Sequence, residues 1–323
     1  ACSNIYDEVD RLAREIIALA RDGGMRWRDM AVVCGDIETY GPLLQRAFEE
    51  YGIPCFIDRK RSVMNHPLVR FILSLIDTVQ NGYLPLDFMS WLKTGLAGLS
   101  RDDCEALENY VLRLGIKGRR WKKPFTRGSE PELEQMEGLR RKVMELLEPL
   151  EADWHHQPNC RALIAALFSF MHNAGVKDLL EAQIDSLMQR ELWEQALESA
   201  QIWNIIAEIL EQLAVLTGDL DISLSEFRQL LETGLRSYEL AIIPPTVDQV
   251  LVGSVARSKS QKLRALFVVG ANDGVLPAYA NPSSLLNNED RSQLSLQGLE
   301  LGWNASSRIS EENFLIYHTL SQP

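Results

Sequence analysis

Apolar residues recur at Val9, Leu12, Ala13, Ile16 and Ala20, the spacing of one helix face, and predict a helix over 6–20 that Gly23 and Gly24 end. The unbroken apolar run Met30–Cys34 then predicts a buried strand. A helix over 39–50 follows, with Leu43, Leu44, Ala47 and Phe48 inward, and Tyr51-Gly52-Ile53-Pro54 turns into a short strand, Cys55–Ile57. Helix, strand, helix, strand in this order predicts a parallel or mixed sheet.

From 67 to 237 the pattern changes. Seven stretches, 68–79, 84–94, 101–114, 132–147, 159–174, 178–216 and 224–235, favour helix by propensity or periodicity, and no convincing strand interrupts them. The stripe Leu179, Leu187, Leu192, Trp193, Leu197, Ile202, Ile205, Ile209, Leu213 and Leu216 reads as a core-facing row on the longest stretch. Pro244-Pro245 marks the return to extended chain. Short apolar runs at 248–255 and 265–270 then read as strands, joined by a segment carrying Arg257, Lys259, Lys262 and Arg264. Asn272-Asp273-Gly274 makes a turn and Pro277 closes it. A capped helix is expected to end near Gly298, and another begins at Ser310 with acidic first-turn residues. The chain is thus expected to be an α/β domain, 1–62 and 245–323, split by an all-helical insertion, 63–244.

The 323 residues carry a net charge of −12 with pI near 5.0. Such a chain does not coat nucleic acid nonspecifically, so contact with a polyanion requires a local basic patch. The five cysteines form no C-x-x-C pair and read as reduced thiols of a cytoplasmic protein. No apolar run reaches the ~18 residues of a membrane span and no signal peptide opens the sequence, so neither membrane insertion nor secretion is expected.

The basic positions are few. Loops at strand ends are where α/β sheets hold ligands, so the cations of 257–264 point toward an anion. Ser254, Arg257, Ser258 and Lys259 are the best candidates for phosphate contact, against a plain solvated connection. Arg59, Lys60 and Arg61 face either DNA or a partner protein. Lys117, Arg119, Arg120, Trp121, Lys122, Lys123, Phe125 and Arg127 form the one dense basic and aromatic cluster. There Lys122 and its neighbours could serve a DNA backbone and Trp121 an unstacked base, or Trp121 tucks into a neighbouring helix and the loop is merely solvated. His155-His156 lacks ligands at metal spacing, and no set of carboxylates suggests a nuclease centre. No G-x-x-x-x-G-K-[ST] phosphate loop is present.

The segment 247–277, VDQVLVGSVARSKSQKLRALFVVGANDGVLP, resembles the motif V region of UvrD-like superfamily 1 helicases. There a strand, a Thr-x-His-x-x-Lys-Gly-Leu-Glu run and a second strand precede Gly-x-x-x-Gly-x-x-Pro. Ser254 falls at the Thr and Lys259 at the Lys, Gly270, Gly274 and Pro277 keep the ending, and Ala256, Ser260 and Lys262 replace the His, Gly and Glu. More narrowly, GSVARSK followed by FVVGANDGVLPA resembles the B subunit of AddAB-type ATP-dependent helicase-nucleases, which process double-strand DNA ends. The resemblance implies a P-loop helicase second motor domain holding the helical insertion. It puts Gly35 and Gln322 where two arginines would contact ATP, so ATP hydrolysis is expected to be silent here.

From these residues no catalytic residue, cofactor or metal is expected within this chain. By the resemblance, ATP, magnesium and a 4Fe-4S cluster would belong to parts of the parent outside it. The partners implied are DNA and the A subunit of the heterodimeric helicase-nuclease, which supplies the active motor. The role implied is guiding a strand and taking part in reading the Chi signal. Two other readings stay open: a helicase domain that still hydrolyses ATP, and a protein scaffold that does not touch DNA.

Overall fold

The computed structural model describes residues 2–58, 61–156, 159–240, 248–254, 263–276 and 305–321. The chain divides into two compact units, one formed by Ala1–Arg59 with Ile243–Pro323 and the other by Lys60–Ile242.

The first unit is built on a four-stranded parallel sheet with strand order β2-β5-β1-β6, where β1 is Met30–Cys34, β2 Cys55–Ile57, β5 Val250–Gly253 and β6 Ala265–Val269. β1 lies between β5 and β6, with Ala31 opposite Leu251 and Val32 opposite Phe267. All five β1 residues are buried, as a central parallel strand requires. Strands on either side of the helical block therefore share one sheet. β5 is shorter than its predicted 248–255: Asp248 instead accepts the Arg28 N–H at 3.0 Å.

Two helices complete this core. α1 (Ile5–Arg21) is capped by Asn4 and buries Val9, Leu12, Ala13 and Ile16. α2 (Ile37–Tyr51) buries Leu44 and Phe48 and ends at Gly52, which takes φ +67°. The turn after β6 is carried by glycines: Gly270 and Gly274 adopt φ +65° and +80°, while Asn272 and Asp273 are not in the left-handed region. α11 (Ala305–Leu320) ends the described chain. The helix expected near 282–298 and the Pro244-Pro245 return lie outside the described residues.

The second unit is helical: α3 (Pro67–Gln80), α4 (Pro85–Leu92), α5 (Arg101–Leu114), α6 (Glu130–His156), α7 (Cys160–Asn173), α8 (Val176–Gln189), α9 (Trp193–Thr217) and α10 (Leu224–Ser237). Its core holds Phe71, Phe88, Trp91, Trp121 and Phe227, all fully buried, and shares no residue with the core of the first unit. Where the chain enters and leaves this unit, Arg61–Ser62 (β3) and Glu239–Leu240 (β4) pair antiparallel, an element too short for periodicity to reveal.

Two predicted spans are corrected. The stretch 178–216 is two helices, because the chain turns at Glu191, φ +60°, and the Leu192 N–H returns to the Leu187 carbonyl at 2.9 Å. This is a Schellman stop with glutamate in the glycine position. Conversely, α6 runs past Pro149; the burial of Leu150 and Trp154 beyond it carries the helix through the proline. None of the five cysteines is in a disulfide. Among the described residues no helix is long and apolar enough to cross a membrane, and no cluster of potential metal ligands occurs.

Candidate functional site

The C-terminal ends of the parallel strands form one edge of the sheet, where α/β folds place ligands. β1 runs there into Gly35 and α2, β5 into Ser254, and β6 into Gly270. Glu8 on α1 ties this edge together. Its Oε1 accepts the Gly270 N–H at 3.0 Å and its Oε2 accepts the Tyr40 hydroxyl at 2.6 Å. Burial, and then the Glu8 carboxylate, push the Tyr40 phenol above its ordinary value, so it stays protonated and donating. A Cβ on Gly270 would lie 2.6 Å from Cε2 of Tyr40.

Gly35 is equally closed. A Cβ there would come within 2.9 Å of Val275 Cγ1, 3.2 Å of the Val275 carbonyl oxygen and 3.3 Å of Leu276 Cβ. An arginine at this position would have to displace the turn that follows β6. One residue on, Asp36 caps α2, accepting the Glu38 and Thr39 N–H groups at 3.1 Å and the Thr39 hydroxyl at 2.6 Å. These bonds, the Thr39 hydroxyl's foremost, hold the carboxyl below the usual range. A fixed negative charge thus occupies the helix end that otherwise attracts phosphate. Among the described residues, those at the end of β1 do not fit a triphosphate. Beside them the Cys34 thiol, buried and donating to the Gly253 carbonyl at 3.7 Å, is pushed up to about 12 by desolvation.

Of the sequence-derived candidates, Ser254 stands half-buried at this edge, directly after β5. Arg257, Ser258, Lys259, Arg59, Lys60 and Gln322 lie outside the described residues. Arg61 contributes its backbone to β3. Arg264 is held to Asp29, through its N–H to the Asp29 carbonyl at 2.8 Å and its guanidinium 3.7 Å from the carboxylate.

Trp121 and Lys122 belong to the helical unit, and Trp121 as a stacking platform for a base is corrected to the other reading, a tryptophan tucked among its neighbours. Trp121 has no exposed surface; it packs 4.1 Å from the Phe88 ring and 5.6 Å from that of Phe125, so no base can stack on it. Lys122 is exposed and ion-paired. Its ammonium pairs with Glu151 at 2.7 Å and lies 5.5 Å from the centre of the Tyr83 ring, whose hydroxyl donates to the same carboxylate at 2.6 Å. Burial works against ionisation of Glu151, but the bonds from Lys122 and Tyr83 together hold its carboxyl below the ordinary value.

The segment 117–127 is held rigidly around that tryptophan. The Gly118 N–H reaches the Tyr83 carbonyl at 3.2 Å, Arg140 Nη1 donates to the Trp121 carbonyl at 2.9 Å, and Glu137 accepts the Phe125 N–H at 2.8 Å. Arg140 and Glu137 pair at 2.6 Å, and Tyr110 donates to the Arg127 carbonyl. Sequence reasoning missed Glu8, Arg140 and Glu151. Each interrupts an i, i+4 row of buried apolar residues: Glu8 with Leu12 and Ile16, Arg140 with Met136 and Met144, Glu151 with Val143 and Leu147. A charge in such a row is the signal that could have found them.

Comparison with known proteins places the chain among helicase-nuclease subunits. It is 39% identical over 341 residues to the B subunit of the ATP-dependent helicase/deoxyribonuclease of Alkaliphilus metalliredigens, covering 100% of this chain and 30% of the relative. The protein of the same name from Alkaliphilus oremlandii is 39% identical over 99% of the chain, and that from Clostridium botulinum (strain Loch Maree / Type A3) 36% over 99%. The chain spans about 30% of the length of the curated relatives it matches. No family model matches it.

Proposed function

We propose, for a chain that belongs along nearly its whole length to the family of ATP-dependent helicase/deoxyribonuclease B subunits, that this segment holds and steers single-stranded DNA without hydrolysing ATP. It is a second motor domain of the P-loop helicase type, retained as a fold and put to another use. The observation that carries the reading is the shared sheet. β1 and β5 lie side by side, and Ser254 stands directly after β5 at the edge where α/β sheets hold ligands; the sequence that follows it carries Arg257, Lys259 and Lys262. At that same edge Gly35 is walled by Val275 and Leu276, and Asp36 caps α2, so neither position offers a γ-phosphate a cation. The phosphates of a polynucleotide are instead met by Ser254, Arg257, Ser258 and Lys259.

The name B subunit implies a companion, and the hydrolysis that moves DNA past this segment is assigned to that companion, the A subunit. Strand guidance past a surface of this kind is also where the Chi signal is read. Each γ-phosphate arginine is worth on the order of 10³ to 10⁵ in rate. An assembled helicase-nuclease in which the companion's phosphate loop has been disabled should therefore show no DNA-stimulated ATP hydrolysis above background. Turnover that persists, and is abolished by changes at the end of β1, would establish a working ATPase in this segment and end the proposal.

A further inference from the structure

We infer that the helical unit carries a second, independent contact for single-stranded DNA: a pocket that takes one unstacked nucleotide, between the end of α5 and the segment 117–127. This rests on the DNA-holding reading above and extends it to the helical unit. The pocket encloses about 240 Å³, just under the ~300 Å³ at which sites for drug-sized ligands begin and a size for one base. Leu114, Ile116, Pro124 and Phe125 give it apolar walls, and Arg120, Lys123 and Arg127 line it with exposed cations.

Three features point to a nucleotide. Between Arg113 and Arg127 the sequence has seven cations and no carboxylate, in a chain of net charge −12. Arg113 and Lys122 are paired with Glu132 and Glu151 and Arg120 donates to the Gly115 carbonyl, whereas Lys117, Arg119, Lys123 and Arg127 form no ion pair among the described residues. The backbone between them is fixed by Arg140, Glu137, Tyr83 and Tyr110. Free cations are thus presented without the usual cost of ordering a loop. Guanidinium forks match phosphate oxygens, and an apolar slot beside them suits a planar base. The Tyr110 hydroxyl is already donated to the Arg127 carbonyl, which leaves the Thr126 hydroxyl as the polar side-chain group beside the cations. So few groups cannot read base edges, and binding here is insensitive to sequence.

The test is fluorescence anisotropy of a labelled oligothymidylate with the whole chain, at two salt concentrations. Lys123→Glu combined with Arg127→Glu should weaken binding at least about tenfold and shrink the log–log salt slope by about 1.4, two single-strand phosphate contacts. Leu114→Trp fills the pocket but keeps every charge, and should weaken binding about threefold or more with the slope unchanged. Each variant is first checked for an unchanged melting temperature; if the charge reversal melts early, Lys123→Ala with Arg127→Ala replaces it. Normal binding by the charge variant, with loss in Arg257→Ala combined with Lys259→Ala, would overturn the pocket and leave the sheet-edge reading standing. Normal binding by Leu114→Trp alone would remove the inserted base. If the wild-type chain binds no oligothymidylate, both ideas fail. If the pocket variants lose polyglutamate binding but keep DNA, the pocket belongs to an acidic protein partner instead.

Discussion

Single residues decide what the sheet edge can hold. Gly270 is required twice over, by φ +65° and by the Tyr40 ring 2.6 Å from where its Cβ would be. Gly270→Ala should cost about 2–4 kcal/mol, combining backbone strain with overpacking, and urea denaturation would measure it. Its glycine was legible as part of a turn, but the Tyr40 and Glu8 partners were not, since they sit over 200 residues away in sequence. His66 offers a pH handle. Its Nδ1 accepts the Leu68 N–H, its Nε2 meets the Ser199 hydroxyl at 3.1 Å, and burial pushes it down to about 4. Because the folded-state value lies below the unfolded one, its contribution is complete above about pH 6.5 and is lost as pH falls toward 4. His66→Asn keeps the helix cap without the titration. The stability difference between wild type and His66→Asn should shift by about 2 kcal/mol against wild type between pH 7 and pH 5; a constant difference would mean that His66 is not held neutral.

Among the elements, helix stops were readable where glycine marks them. Gly52 and Gly115 both end helices in the left-handed conformation, at φ +67° and +59°. Glu191 does the same work without the residue type that announces it, which is why 178–216 reads as one helix in the sequence and folds as α8 and α9. Glu191→Gly should stabilise the helical unit by about 0.5–1 kcal/mol, seen as a higher melting temperature. A drop would mean that the glutamate side chain, not the backbone angle, secures the turn. The basic segment 117–127 was legible as a cluster of charges with an aromatic inside it, but composition cannot say which way a tryptophan faces. Packing against Phe88 and Phe125 buried Trp121 and left the lysines and arginines outside. Anion binding in this unit therefore has to come from cations over an apolar slot, not from ring stacking on Trp121.

At the scale of the molecule, a small parallel sheet joins strands from both ends of the sequence, and a separate helical core fills the middle. Periodicity alone could not pair β1 with β5 across more than two hundred residues. Strand signals on either side of a long helical block made the shared sheet an expectation, and the register of Ala31 with Leu251 realises it. A body of net charge −12 repels polynucleotide at long range. Any grip on DNA must then come from a few local cations, and it must weaken as salt screens and competes with them. The most direct measurement is the affinity of the chain for an oligothymidylate as a function of salt. Holding DNA through its phosphates requires log–log dependence with a slope of magnitude about 1.4 or more, and a smaller slope once Arg257 and Lys259 are alanine. An affinity that is flat with salt, or a slope indifferent to those two residues, would contradict it.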